Sequence, residues 1–509
     1  MSGTLQARPH PLSQNRSCGV LLHPSSLPGR CGSGDLGPQA YAFVDWLKQA
    51  GQRWWQMLPV QPQGPGFSPY SSISAFAGNP LLISLDLLAD QGWIEKGALP
   101  DLRSGRGRRV QWPAVETLRT DLLRTAFENF RNQDGLHSPA YLKFCKKQKA
   151  WLPDYQLFCA LREQKLGPDW GRWPEPFRRR DAETLKQARR ELAECLDYHG
   201  FLQFQFHNQW RALRKYAGTS PAVGLIGDLP IFVTYDSVDV WAHPDLFRLQ
   251  ESLHPEVVTG VPPDAFSDTG QLWGHPHYRW SQHEANGFRW WMRRFRHLFR
   301  SFDLLRVDHF IGFYHAWEVK AEAETAEQGQ WVRAPGEALF QRLRSKLGNA
   351  ALIAEDLGAM TPEIHAFRDR LGFPGMRVLQ WAFGPNARYD QPHRHPPNSV
   401  VYTGTHDNDT LQGWFSQLGE EDRQRALDYS HGDPQSIHWD VIRLAYASPA
   451  RTAIVPMQDF LGLDSKARMN TPGTGEKNWQ WRMYRRELNS DLAQRIRALA
   501  ETFERLPTP

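Results

Sequence analysis

Eight short apolar runs, each closing on polar, Pro or Gly residues and most followed by a helical pattern, constrain this chain more than any other feature. They are GVLLHP (19–24), RWWQMLPV (53–60), VGLIGDLPIFV (223–233), FDLLRVDHF (302–310), ALIAEDLG (351–358), MRVLQWAF (376–383), VVYTGTHDN (400–408) and TAIVPMQDF (452–460). Apolar runs of strand length fit a parallel sheet buried on both faces, whose neighbours are joined by helical crossovers. Eight such units in 509 residues predict an α/β fold, the (β/α)8 TIM barrel. The spacing is uneven. About 160 residues separate the second and third runs, and their apolar positions recur at helical intervals, so a mostly helical insertion is expected over 85–215. A loop-rich insertion containing the Gly/Pro-rich segment 260–274 is expected over 234–300. No repeat, low-complexity tract or long linker divides residues 1–509, which are expected to form one catalytic unit.

Charge and cysteine content narrow the function classes. The formal net charge is +5, and the Arg-rich stretches at 103–109, 177–181 and 292–300 are scattered, which disfavours nucleic acid as a partner. Five cysteines, without C-x-x-C spacing, argue for reduced thiols. The opening MSGTLQARPHPLSQNR has no apolar segment behind its charges, and no apolar stretch approaches membrane-spanning length. A soluble, cytoplasmic protein with no membrane partner is expected. Aromatic residues make up 12% of the chain; most are core, and Trp and Tyr faces also stack on sugar C–H faces.

Four runs close on an acid: Asp228, Asp308, Glu355 and Asp407. Strand C-termini form the active face of a (β/α)8 barrel, so these acids are expected to converge there. Residues two apart in a strand share a face, which puts Arg306 beside Asp308. Alone, that pair fits a buried structural ion pair. Several acids aimed at one pocket repel each other and are kept chiefly where charge is used. Two chemistries fit. Carboxylates with His23, His309 and His406 could hold a divalent metal in a hydrolase. Alternatively, two carboxylates about 5 to 5.5 Å apart could flank a glycosidic bond in the retaining arrangement. In that case Arg306 is expected to hold Asp308 ionised as the nucleophile, and Asp308 to raise Glu355 toward the protonated form of a general acid. Asp407 is then expected to favour a sugar ring distorted toward the transition state.

The stretches LPVQPQGPGFSPYSSISAFAGNP, IGDLPIFVTYDSVDVW, GVPPDAFSDTGQLWGHPHYRW, LLRVDHFIGF, IAEDLG, GFPGMRVLQWAF, YTGTHDNDTLQGW and RMNTPGTGEKNWQWR run in order through nearly the whole chain. Together they resemble the 4-α-glucanotransferases (amylomaltases, or disproportionating enzymes) of glycoside hydrolase family 77 in the α-amylase clan. The resemblance implies a retaining transfer of α-1,4-glucan segments to the 4-hydroxyl of an acceptor, with maltooligosaccharides as partners and no cofactor or metal. By motif, it implies Asp308 as nucleophile, Arg306 as its support, Glu355 as acid/base and Asp407 as transition-state stabiliser. It further implies Asp228, Tyr70 and His406 at the reacting glucose, and 260–274 as a lid on the barrel mouth with Asp264, Gln271 and Trp273 as its candidate glucan contacts; Asn470 in RMN is a further candidate sugar contact. One departure is Ala265, where some relatives carry a bulky residue. An α-glucan hydrolase of the same clan is the alternative. Trp54, Trp55, Trp290 and Trp291 are expected in the core, and His309 is left without a catalytic role.

Overall fold

The computed structural model describes residues 10, 12, 15–100, 107–263, 267–358, 360–384, 387–475 and 477–507. Among these, the strands in chain order are β1 (Ser17–Leu21), β2 (Trp54–Gln56), β3 (Gly224–Pro230), β4 (Val257–Val261), β5 (Gln271–Pro276), β6 (Leu304–Asp308), β7 (His315–Lys320), β8 (Gly329–Arg333), β9 (Leu352–Ala354), β10 (Gly375–Val378), β11 (Ser399–Tyr402) and β12 (Thr452–Pro456). Eight of them close a barrel in the order β1-β12-β11-β10-β9-β6-β3-β2, with every neighbouring pair parallel. Each falls on one of the eight apolar runs, so the (β/α)8 barrel read from the sequence is the observed fold.

Each barrel strand is shorter than the run it overlaps, and β1, β10 and β11 begin one or two residues before theirs. The run at 400–408 leaves the sheet after Tyr402, where the Thr403 hydroxyl donates to buried Asp459 instead (2.6 Å). The run at 452–460 leaves it after Pro456 and coils into a short helix, Met457–Phe460. Apolar residues past a strand end still pack on the barrel, so a hydrophobic pattern overstates strand length.

Alternation along each strand sorts side chains between two cores. Leu21, Trp54, Ile226, Leu304, Ile353, Met376, Val400, Tyr402 and Ile454, drawn from all eight barrel strands, fill the interior. Leu225, Leu229, Leu305 and Val307 point outward into the larger core under the helices. Trp54 dominates the interior, and its neighbours must be small. A Cβ on Gly19 would lie 2.5 Å from Trp54 Cβ, and one on Gly224 2.4 Å from Trp54 Cζ3. Trp54, Trp55, Trp290 and Trp291 are all buried core residues, as expected.

Between β2 and β3 lie six α-helices: Leu85–Asp90, Trp112–Asn132, Pro139–Gln148, Leu152–Leu161, Glu175–Arg178 and Ala182–Glu191, followed by the 25-residue Ala193–Ala217 that leads into β3. Phe127, Phe130, Phe201 and Phe204 of this region belong to the same core as the barrel's outer face. Residues 234–300 differ from the loop-rich expectation. They carry β4, β5 and the helices Trp280–Ala285 and Arg289–Ser301. Strands β5-β4-β7-β8 form a separate antiparallel sheet, and the segment between β4 and β5 is the one expected to act as a lid. This sheet escapes a sequence reading because β8 (GQWVR) is largely exposed and too short to show a period.

At the other end of the barrel, Arg505 is fully buried without an acidic partner among the described residues. Its guanidinium donates to the carbonyls of Ser17, Ala445, Tyr446, Ser448, Ala450 and Arg451 at 2.8 to 3.4 Å. Burial pulls its pKa down to about 10, still charged at neutral pH. It joins the C-terminal segment to the starts of β1 and β12. Replacing Arg505 with Leu would remove six buried hydrogen bonds, although Arg16, the Ser17 N–H and the Ser448 hydroxyl still reach four of the carbonyls, and is expected to cost about 3 kcal/mol or more in denaturant unfolding. Arg505→Lys should recover only part of this, since an ammonium has three donors and no planar fork.

Candidate active site

The interior of the barrel changes polarity along its axis. On β6, Leu304 sits in the apolar interior, and Arg306 and Asp308 follow on the same face toward the C-terminal end. Ile226 and Asp228 repeat the step on β3, in register: Ile226 pairs with Leu304 and Asp228 with Arg306. The Arg306 guanidinium is buried. Its Nη1 donates to Asp228 Oδ1 (2.9 Å) and Oδ2 (2.8 Å) and to Asp308 Oδ1 (2.9 Å). Asp308 Oδ2 has no hydrogen-bond partner among the described residues, and the side chain keeps 26% of its surface open.

Glu355 stands one residue past β9, beside the end of β6, where Val307 pairs with Ala354. Its carboxylate accepts the His309 N–H on Oε2 (2.7 Å) and the Leu357 N–H on Oε1 (3.0 Å). His309 can aim that N–H because it leaves the strand in the left-handed conformation (φ 48°), which costs a non-glycine residue about 1 kcal/mol. The next acid in the sequence, Asp356, is committed elsewhere. It is buried against Arg368 and Arg377 and accepts the Met376 N–H (2.6 Å).

Asp407 lies five residues beyond β11, on a loop rather than at a strand end. Asn470 Nδ2 donates to its Oδ1 (2.6 Å), and His406 Nε2 lies 3.3 Å from its Oδ2. Asn470 is itself held by donating its N–H to the His406 carbonyl (3.0 Å). Tyr70 donates its hydroxyl to Asp228 Oδ2 (2.7 Å) and stacks on the His406 ring, with centroids 5.0 Å apart. Tyr70, Asp228, Arg306, Asp308, His406, Asp407 and Asn470 therefore form one connected network, with Glu355 adjoining it.

Two residues of the segment expected as a lid, Gln271 and Trp273, lie on β5. Trp273 on β5 packs edge-on against the His309 ring at 4.7 Å, and its indole donates to Gln271 Oε1 (3.3 Å). Asp264 and Ala265 lie outside the described residues. His309, which the sequence reading set aside, is part of the wall: its ring meets Trp273 and Phe232, and its N–H holds Glu355. A left-handed turn directly after a strand leaves no trace in residue type, and this is why the role was not seen.

The electrostatic expectation requires a correction. Burial outweighs the attraction of Arg306, and Asp308 is pushed up to about 8, with Asp228, Glu355 and Asp407 adding repulsion. Glu355 is pushed up by burial to about 6, against the opposing pull of Arg306 and its two backbone donors. A single guanidinium does not keep Asp308 ionised among four carboxyls. Both carboxyls are held above the ordinary carboxylate range, which favours a proton retained at this pair near neutral pH.

A folded-state pKa above the unfolded one means that the folded site binds the proton more tightly. The associated stability is therefore present below about pH 4 and is lost as pH rises through about 8. Asp308→Asn keeps the shape and removes the titration. It should match the parent protein near pH 4 and unfold at a higher temperature by pH 8, with a gain of about 2 kcal/mol after allowing for solvent at the partly open carboxyl. Thermal unfolding across that range checks it.

With this geometry in view, similarity to known proteins can be placed. The family model described as 4-alpha-glucanotransferase matches residues 22–487. A 4-alpha-glucanotransferase of Thermus thermophilus is 44% identical over 505 residues, covering 96% of this chain and 99% of that one. One of Clostridium butyricum is 40% identical over 489 residues, covering 95% and 100%. Among solved structures, an amylomaltase from Streptococcus agalactiae in complex with acarbose superposes with a TM-score of 0.93 at 37% identity, covering 96% of this chain and 99% of that one. By this similarity, and by the acid-bearing strand ends that its motifs form, the chain belongs to the 4-alpha-glucanotransferase family, glycoside hydrolase family 77.

Proposed function

We propose that the carboxylate cluster at the barrel mouth transfers α-1,4-glucan segments between maltooligosaccharides by a retaining double displacement. The observation that carries this reading is the Arg306 bridge between Asp228 and Asp308, with Glu355 one residue past the adjoining strand β9. In the first step Asp308 Oδ2, the oxygen not held by Arg306, attacks C1 of the donor sugar. The bond from C1 to the leaving oxygen breaks, and Glu355 delivers its proton to that oxygen. A covalent glycosyl-enzyme and a shortened glucan result. In the second step the acceptor 4-hydroxyl gives its proton back to Glu355, its oxygen bonds to C1, and Asp308 departs. No cofactor or metal enters this balance. Only the arrangement with the proton on Glu355 and the charge on Asp308 is productive, and positive charge developing at C1 favours it. Asp407, set by Asn470 and His406, and Asp228, set by Tyr70 and Arg306, hold hydroxyls of the reacting glucose, with the Tyr70 and His406 rings as its platform.

Transfer requires that water lose to a sugar acceptor at the same intermediate. Trp273, at the described end of the 260–274 segment with Gln271, packs against the His309 and Phe232 wall and shields the mouth there. Acceptor binding then positions the 4-hydroxyl while water is excluded. Five free thiols suit the reducing cytoplasm, and among the described residues no helix is long and apolar enough to cross a membrane.

Incubation with maltotriose is expected to yield glucose and a ladder of oligomers longer than the substrate. Products no longer than maltotriose would instead identify a hydrolase. EDTA should leave the rate unchanged, whereas a metal-dependent hydrolase would lose it. Asp308→Asn should lower kcat by about 10³-fold or more and prevent trapping of a covalent sugar. Glu355→Gln should lose about 10²- to 10⁴-fold with ordinary donors and retain more with donors whose leaving group needs no proton. The pH profile of kcat/KM should be a bell. Below about 6 both carboxyls are protonated and the nucleophile is lost; above about 8 both are ionised and the acid is lost.

A further inference from the structure

Away from the catalytic mouth, a cavity of about 300 Å³ opens between the helix Pro139–Gln148, the segment 150–154, the helix Val238–Ala242 and the helix Arg289–Ser301. It shares no lining residue with the carboxylate network. Four cationic side chains line it: Lys147, Arg293, Arg296 and Arg300. The three arginines are spaced i, i+3 and i+7 on one helix and so share a face. Lys147, Arg296 and Arg300 make no side-chain hydrogen bond or ion pair among the described residues. Arg293 reaches only the Ala150 carbonyl (3.4 Å), and its buried Nε has no partner.

The two acids in the lining attract Arg293 but are held by other partners, and neither pairs with Lys147, Arg296 or Arg300. Asp154 is paired with Arg180 (2.8 Å) and Arg189 (3.6 Å). Asp239 is buried and accepts the Ala75 N–H (2.7 Å) and the Trp290 indole N–H (3.2 Å). Three cations without a side-chain partner among the described residues, with Arg293 beside them, repel each other around one cavity, and a multiply charged anion relieves that repulsion. Guanidinium forks match the oxygens of a phosphate group. One wall is aromatic. Trp151 stacks with Phe76 (6.4 Å, 17°), and its indole is pinned to Gln148 Oε1 (2.9 Å). A half-buried indole of fixed orientation offers a sugar a face to lie on. The volume sits at the lower end of the range for small-molecule sites, about 300 to 1,000 Å³, which suits one sugar ring rather than a glucan chain.

We infer that this cavity binds a sugar phosphomonoester of hexose size, its phosphate held by Arg293, Arg296, Arg300 and Lys147 and its ring packed on Trp151. The helix that carries the arginines is tied to the active barrel end, since Arg294 donates to the Pro230 (2.7 Å) and Ile231 (3.2 Å) carbonyls at the end of β3.

Calorimetric titration of the full chain tests this, with glucose 6-phosphate, inorganic phosphate and glucose as probes. Glucose 6-phosphate is expected to bind more tightly than inorganic phosphate. The double variant Arg296→Gln/Arg300→Gln changes exposed side chains and should weaken both phosphate probes by about tenfold or more. Trp151→Ala should weaken glucose 6-phosphate and leave inorganic phosphate unchanged. Tyr70→Ala, in the catalytic mouth, should leave glucose 6-phosphate binding unchanged. Absence of binding by both phosphate probes would overturn the inference, as would binding insensitive to the double variant or lost in Tyr70→Ala. Equal affinity for inorganic phosphate and glucose 6-phosphate would overturn the sugar part of it.

Discussion

The Arg306 guanidinium is the contact around which the functional end of this barrel is organised. It is buried, and it holds both Asp228 and Asp308 at hydrogen-bond distance within the carboxyl cluster. Removing a buried charge from such a cluster leaves its partners unpaired in a poorly solvated site, which costs more than the pair is worth by itself. Geometry follows from the same contact. Holding Asp308 by Oδ1 leaves Oδ2 unpaired, and holding Asp228 by both oxygens leaves the Tyr70 hydroxyl to complete its shell. Because Arg306 does not fully offset burial, the site keeps a shared proton near neutral pH. Acid and nucleophile chemistry both require that condition.

A barrel can tolerate this cluster because its interior is not uniform. Trp54, Leu304, Ile226 and their neighbours seal the middle of the barrel, so the charged layer above them is supported on a dry, rigid floor. The glycines flanking Trp54 show how tightly that floor is packed. At the opposite end Arg505 joins the C-terminal segment to the first and last barrel strands through backbone carbonyls. The two buried arginines solve different problems. One neutralises acids for chemistry, and the other satisfies carbonyls for stability.

Much of this was legible in residue order. The eight strands appeared as eight apolar runs, because burial on both faces demands continuous apolar residues. Asp308 and Arg306 were legible as a pair because strand periodicity puts residues two apart on one face. Other features were hidden because they depend on where the backbone turns. Glu355 and Asp356 are adjacent acids of similar character, and only the exit of the chain from β9 sends one to the cleft and the other to Arg368 and Arg377. His309 looked like a bystander because its contribution is a backbone N–H aimed by a left-handed turn. The sheet of β4, β5, β7 and β8 has edges too short and exposed to show a period.

The electrostatic order of the site was also beyond sequence. An arginine two residues from an acid suggests an ionised carboxylate, and that inference fails once burial and three further acids are counted together, because desolvation depends on all surrounding atoms. Sequence by itself determined the eight barrel strands, their parallel arrangement and the acids that meet at the barrel mouth, since these follow from hydrophobic periodicity and from the common direction of parallel strands. Tertiary structure alone decided which oxygens are free, which acid of a pair faces the cleft, how protons are shared, and where unpaired arginines gather around a cavity. Those outcomes depend on distances between segments far apart in the chain, and residue order does not encode distance.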